Sequence, residues 1–278
     1  MTQSNISIIK LIILTVLLFS CQNTTKNDMS RALYTSYSFS GIAEDDSIMG
    51  SILIYDLKNN HYYSNDFGWA KVGKLPASTF KIPHSLIALD LGIVKNKNTI
   101  LKWDGKKRDY KMWQQDLTFK QAFHYSCVPC YQEIAQKVGE KRMNEFVQRF
   151  NYGNIDINAD NIDNFWLIGN SEISQFEQID FLKRLYLSKL PVSKKTEQIF
   201  KELFIVKQDD DYTLRAKTGL SITNKNYNGW YVGYVEKRDN VYFFATNISP
   251  QDKYYKTFNK KRKELTIEAL KQLLVLPQ

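Results

Sequence analysis

The sequence predicts an α+β fold, in which an antiparallel sheet flanked by helices is joined to an all-helical lobe. Three observations predict it. A strand-like apolar run occurs early, Ser51–Leu57, and period-two alternation occurs late, between Asp211 and Asn247. Between them, Thr99 to Gln208 carries mostly helical patterning, with loops rich in Asn, Asp and Gly. The sequence has no repeat, linker or low-complexity stretch, so strands from both ends are expected to build one sheet around inserted helices.

In chain order, Lys10 precedes the apolar run Leu11–Phe19, which is short for a bilayer span and reads as the core of a secretory signal over residues 1–20. The run ends in Leu18-Phe19-Ser20-Cys21, which resembles the bacterial lipobox, with Phe19 bulkier than usual there. That likeness implies cleavage before Cys21 and lipidation of its thiol, with polar residues 21–30 as a tether. The alternatives are a plain signal peptide cut elsewhere, or a retained anchor. Residues 31–278 then read as a single two-lobed domain.

Ser51–Leu57 reads as a strand, Lys58-Asn59-Asn60 as a turn and His61–Tyr63 as the returning strand. A helix opens at the Ser78 segment. Pro83 lacks an N–H and would break an interior turn, so the longer helix is expected to start near it or to kink there. Tyr131–Val138 and Lys141–Phe150 are candidate helices parted by Gly139, and Gln175–Leu187 and Lys194–Phe204 are two more parted by Pro191. Asn151 to Ser174 reads as irregular and functional in part. Asp211–Ala216 leads up to Lys217, Ser221 to Asn228 is expected to be a loop, and Gly229–Val235 pairs with Val241–Asn247. Thr257–Leu273 closes the chain as an amphipathic helix.

Composition narrows the function classes. With 43% hydrophobic and 24% charged residues, 17 Tyr and 16 Phe among 278, the chain is globular rather than disordered. The net charge is +9, and Lys10 is the only charged residue of the signal, so export leaves the balance nearly intact. Basic clusters such as Lys106-Lys107-Arg108 sit in mixed surroundings, and an exported chain has little access to nucleic acid. No nucleic-acid partner is expected, and membrane contact only through the N-terminal anchor. The charge reads as a solvated surface that favours anionic ligands.

Cys127 and Cys130 cannot complete a four-ligand zinc site, and His61, His84 and His124 have no ligand spacing, so no metal is expected. A Cys127–Cys130 disulfide is conceivable in an oxidising compartment. On a regular helix, however, i,i+3 Cβ atoms lie about 5–6 Å apart, against about 3.8 Å in a disulfide. Bonding would need a distorted turn at Pro129, and two small buried thiols are the expectation.

The chemistry begins at Pro76-Ala77-Ser78-Thr79-Phe80-Lys81, which heads the apolar run Ile82–Val94. Residues i and i+3 share a face on one helical turn, so the Ser78 hydroxyl and the Lys81 amine are neighbours. Serine is a weak nucleophile at neutral pH without an adjacent base, and a desolvated lysine can be that base. The same residues also describe an ordinary helix start with Lys81 in water, because S-x-x-K is common by chance. What distinguishes the two is whether the chain also supplies an oxyanion hole and an anion clamp.

Ser78-Thr79-Phe80-Lys81, Ser126-Cys127-Val128, Tyr152-Gly153-Asn154 and Lys217-Thr218-Gly219 follow one another in an order and spacing that resembles the class D β-lactamases. Lys102-Trp103-Asp104-Gly105, Phe165-Trp166-Leu167 and Trp230-Tyr231-Val232-Gly233 are further local matches, and the likeness spans roughly residues 50–275. It implies a β-lactamase/transpeptidase-like fold and hydrolysis of the β-lactam amide of penicillin-type antibiotics, conferring resistance. Ser78 would form the acyl-enzyme. Lys81, its amine kept neutral by apolar neighbours, would be carboxylated by CO₂ and act as general base for acylation and deacylation. No other cofactor is implied.

The resemblance also assigns partners to that pair. Trp166 offers an indole N–H, a donor only, to the carbamate; Val128 lines its apolar pocket; each would also serve as a plain core residue. Ser126 would relay a proton to the leaving nitrogen, although a serine before a helix is also an ordinary cap. Tyr152, Gly153 and Asn154 would shape the pocket, and also read as a turn. Lys217 supplies positive potential, Thr218 a hydroxyl and Gly219 close backbone approach, although the triplet also reads as a strand-to-turn exit. The backbone N–H groups of Ser78 and Leu220 would form the oxyanion hole. Arg262 aligns with the arginine that clamps the substrate carboxylate, or else is part of a solvated basic helix start. The alternatives to the hydrolase are a β-lactam sensor that acylates without turnover and a peptidoglycan transpeptidase or carboxypeptidase. The expected partners are small-molecule β-lactams, with the chain a monomer or homodimer.

Overall fold

Strands β1 (Leu33–Ser36), β2 (Ile48–Asp56) and β3 (His61–Ser64), with short helices α1 (Ser40–Ala43) and α2 (Phe67–Ala70), open the computed structural model. It describes residues 31–43, 47–223, 226–251 and 258–278. The proposed signal, tether and Cys21 lie outside these residues, as does Thr257 at the expected start of the last helix. A 3₁₀ turn, Ala77–Phe80, runs into α3 (Lys81–Asp90). After a two-stranded ladder of β4 (Ile100–Leu101) and β5 (Leu117–Thr118) come α4 (Phe119–His124), α5 (Val128–Val138) and α6 (Glu140–Phe150). Then follow α7 (Gln175–Tyr186), α8 (Lys194–Leu203), β6 (Ile205–Gln208), β7 (Tyr212–Thr223), β8 (Asn226–Lys237), β9 (Asn240–Pro250) and α9 (Phe258–Gln272).

Among the described residues, the main sheet has seven strands in the order β1-β3-β2-β9-β8-β7-β6. Strands from both ends of the chain meet where β2 pairs with β9, so the helical lobe is an insertion between them. Among the described residues, all pairings in this sheet are antiparallel except β1 with β3.

Strand alternation explains the layers. On β2, Leu53 and Tyr55 join one buried cluster while Ile52 and Ile54 join another. On β9, Phe243 and Ala245 face the first and Phe244 and Ile248 the second. The first cluster lies toward the helical lobe, with Phe80, Phe123, Phe150 and Phe181. The second lies under α9, through Phe258, Leu265, Ala269 and Leu270. Each such side chain contributes about 1.5–3 kcal/mol by leaving water. A strand covered on both faces needs a nearly continuous apolar run, which Ile52–Tyr55 provides.

Local signals set the helix ends. Thr118 with Gln121, and Ser174 with Glu177, form capping boxes at α4 and α7. Pro83 falls in the first turn of α3, where its missing N–H has no intrahelical acceptor to lose, so the helix starts at Lys81.

Two readings change, and one alternative falls away. Lys217-Thr218-Gly219 lies inside β7, paired with Val232, Tyr231 and Trp230, so it is not a strand-to-turn exit. The expected loop Ser221–Asn228 is largely the tip of the β7–β8 hairpin, paired out to Thr223 and Asn226, because Ile222 and Tyr227 sustain the strand pattern. Cys127 and Cys130 form a disulfide instead of two thiols. Cys127 is the N-cap of α5 with φ −54° and ψ 103°, outside the helix, so regular-helix spacing does not apply. The resulting Cα separation of 5.4 Å suits a disulfide. Among the described residues, no helix is long and apolar enough to cross a membrane.

Candidate active site

The 3₁₀ turn before α3 is held in place from the sheet side. Trp230 Nε1 and Asn228 Nδ2 donate to Leu75 O at 2.9 and 2.8 Å. Strand β7 lies against the turn, and a Cβ on Gly219 would stand 3.1 Å from Pro76 O and from Thr79 Cγ2. Glycine at 219 therefore lets the backbone beside Leu220 approach the backbone of Ser78. Ala77, just before Ser78, has φ +51°, and Ser126 has φ +52°. Both are left-handed conformations that cost a non-glycine residue about 1–3 kcal/mol and are held only by surrounding structure.

From the core side, Tyr152 OH donates to Gln178 Oε1 at 3.2 Å, and Gln178 Nε2 donates to Thr79 Oγ1 at 2.9 Å. Gly153 has φ +61°, and a Cβ there would be 2.4 Å from Glu172 O. That turn delivers Tyr152 to the core behind Ser78. Asn154 is exposed and its backbone pairs with Glu172, so it is not brought to the serine.

Lys81 is fully buried, and its Nζ lies 3.2 Å from Ser78 Oγ. Among the described residues no carboxylate pairs with it, and burial alone lowers the amine from 10.5 to about 7. A substantial neutral fraction is therefore present at neutral pH. Lys217 Nζ donates to Ser126 Oγ and, at 3.0 Å, to Thr218 O. Burial, and then the positive charges of Lys81, Arg262 and Lys263, push Lys217 well below the ordinary lysine value. The site thus holds two buried amines, each beside a serine hydroxyl.

Arg262 is buried rather than solvated, and its Nη1 donates to Gly219 O at 2.6 Å. The N-terminal part of α9 is thereby tied to the Lys217-Thr218-Gly219 strand. Val128 is the first residue of α5 and half-buried. Trp166 is fully buried, with ring centroids 4.9 Å from Phe165 and 6.3 Å from Phe80, and its indole N–H has no acceptor.

Sequence reasoning missed Gln178, Tyr131 and His84. Gln178 had a signal: it is a polar residue on the buried stripe of α7 that contains Ile179, Leu182 and Leu185. Tyr131, whose ring centroid is 4.9 Å from Lys81 Nζ and whose hydroxyl is 2.7 Å from Ser85 Oγ, looked like any core aromatic. His84 had only its spacing of three from Lys81.

A serine and a desolvated amine in contact, a second lysine–serine pair and a backbone cradle form the equipment of acyl transfer. The family described as the penicillin binding protein transpeptidase domain matches residues 54–271. The chain is 43% identical over 228 residues to beta-lactamase OXA-48 of Klebsiella pneumoniae, covering 82% of this chain and 84% of that one. It is 39% identical over 234 residues to beta-lactamase OXA-10 of Pseudomonas aeruginosa, covering 83% and 87%. The solved class D beta-lactamase from Sebaldella termitidis superposes with a TM-score of 0.84 at 38% identity, over 89% of this chain and all of that one. The chain belongs to the class D β-lactamases, within the transpeptidase-domain family.

Proposed function

We propose that this protein hydrolyses the β-lactam amide of penicillin-type antibiotics through an acyl-enzyme on Ser78, and so confers β-lactam resistance. The observation that carries the reading is the buried Lys81 amine, unpaired by any carboxylate, 3.2 Å from Ser78 Oγ. Ser78 Oγ attacks the lactam carbonyl as its proton passes toward Lys81. The developing oxyanion is met by the backbone N–H groups of Ser78 and Leu220. Ring opening places a proton on the lactam nitrogen, supplied through Ser126 beside Lys217. Lys217, Thr218 and Arg262 take the substrate carboxylate, with Gly219 admitting it close to the strand. Tyr152 and Gly153 support the nucleophile from behind.

The residues around Lys81 fit a carboxylated lysine. A neutral amine adds to CO₂ and releases one proton, and burial supplies the neutral form. Trp166 holds a buried N–H with no acceptor, which a carbamate oxygen would satisfy. Conversion to an anion would also relieve the repulsion between Lys81 and Lys217. When formed, the carbamate would supply the general base for both half-reactions, the second being attack of water on the acyl carbonyl, which releases the product acid and returns the proton to Ser78 Oγ; Val128 would limit other water around it. We further read residues 1–20 as an export signal and Cys21 as a lipid attachment point, which would place the enzyme in the periplasm on a membrane anchor.

Purified protein mixed with a chromogenic cephalosporin, with and without added bicarbonate, tests the reading. Multiple turnovers, faster with bicarbonate, are expected. One equivalent of product followed by a halt would overturn hydrolysis in favour of a sensor or binder.

A further inference from the structure

His84 stands one helical turn beyond Lys81 on α3, so the two side chains share a face. Its ring is fully buried and meets Tyr131 and Trp166 edge to face, with centroids 5.2 and 5.5 Å apart. The same Tyr131 ring lies 4.9 Å from Lys81 Nζ, so histidine and amine pack against one aromatic ring. Among the described residues, neither nitrogen of His84 has a hydrogen-bond partner, and Trp166 Nε1 has none either. Buried polar atoms are almost always satisfied, and a phenylalanine at 84 would fill the space without leaving any unpaired. Two buried polar groups without partners, on rings packed about His84 and Lys81, point to an acceptor carried by that lysine.

We propose that His84 is a positioning residue for the carboxylated form of Lys81, its imidazole N–H joining the Trp166 indole N–H in holding the two carboxylate oxygens. This rests on the carbamate reading above. Neutral imidazole always keeps one N–H donor. Burial, and the adjacent Lys81, lower His84 from 6.5 to about 3, so it stays neutral and adds no cation beside the uncharged amine.

Carbon-13 NMR of the protein titrated with labelled bicarbonate reads carbamate occupancy without any turnover. His84→Phe keeps an aromatic ring and loses the donor, and should need about ten-fold more bicarbonate for half-occupancy. His84→Asn restores a side-chain N–H and should recover most of that loss. Thermal melting of the same samples shows whether each variant is folded, and His84→Leu replaces the phenylalanine variant if that one is not. Unchanged half-occupancy in a folded donor-less variant overturns the proposal, as does a loss that asparagine fails to rescue. A wild-type protein with no carbamate signal at any bicarbonate concentration overturns the carbamate reading itself.

Discussion

Lys81 carries opposite demands. Its burial makes the amine available near neutral pH, and the same burial costs stability whenever the unfolded chain would keep it protonated. Because the folded value is about 7 and the unfolded value 10.5, the unfolded state binds more protons between them. In CO₂-free buffer, wild-type stability should therefore rise with pH from about 7 to 10.5 relative to Lys81→Met, and run parallel to it below 7. Melting temperatures across that range check the sign; a gap that stays constant with pH would show that Lys81 is charged in the folded state. Lys81→Ala should lower turnover by about 10³-fold, within the usual range for a lost general base. Intact-mass spectrometry should then find the antibiotic retained on Ser78, and rapid loss of that adduct would remove Lys81 from deacylation.

At the scale of elements, the site depends on how closely β7 and the 3₁₀ turn approach. Gly219→Ala would push a methyl to 3.1 Å from Pro76 O, a contact relieved only by moving backbone. It should cost about 1–3 kcal/mol of stability, and it should lower kcat/KM at least ten-fold by shifting the Ser78 and Leu220 donors. Gly153→Ala is a different case, since its Cβ would lie 2.4 Å from Glu172 O at φ +61°. That substitution should destabilise by more than about 3 kcal/mol, with a smaller loss of activity per folded molecule. Denaturant midpoints and kinetics on both variants separate the two effects. Equal losses in both assays would deny Gly219 its special place.

On the scale of the whole molecule, the pocket is closed by residues from distant parts of the chain. Lys217 reaches Ser126 from the sheet, while Arg262 comes from α9 and is tied to Gly219 O. Arg262→Ala should lower kcat/KM for carboxylate-bearing lactams by about 10–100-fold, the worth of a hydrogen bond to a charged group, chiefly through KM. An ester of the same lactam should lose much less. If acid and ester suffer alike, Arg262 acts by supporting β7 rather than by binding the carboxylate.

The sequence by itself determined the chemical inventory and its order along the chain. Ser78 and Lys81 share a helical face by spacing alone, and the strand and helix patterns followed from local periodicity and caps such as Ser174 with Glu177. These properties depend on neighbours within a few residues, so they are written in the chain. Tertiary structure decided what each group is chemically. It alone showed Lys81 without a carboxylate, Arg262 buried, Lys217-Thr218-Gly219 in mid-strand and Cys127 outside its helix, free to bond Cys130. It also brought His84 and Trp166, 82 positions apart, into edge-to-face ring contact. Desolvation and unsatisfied donors arise from packing between distant segments, and no local pattern in a single sequence encodes them.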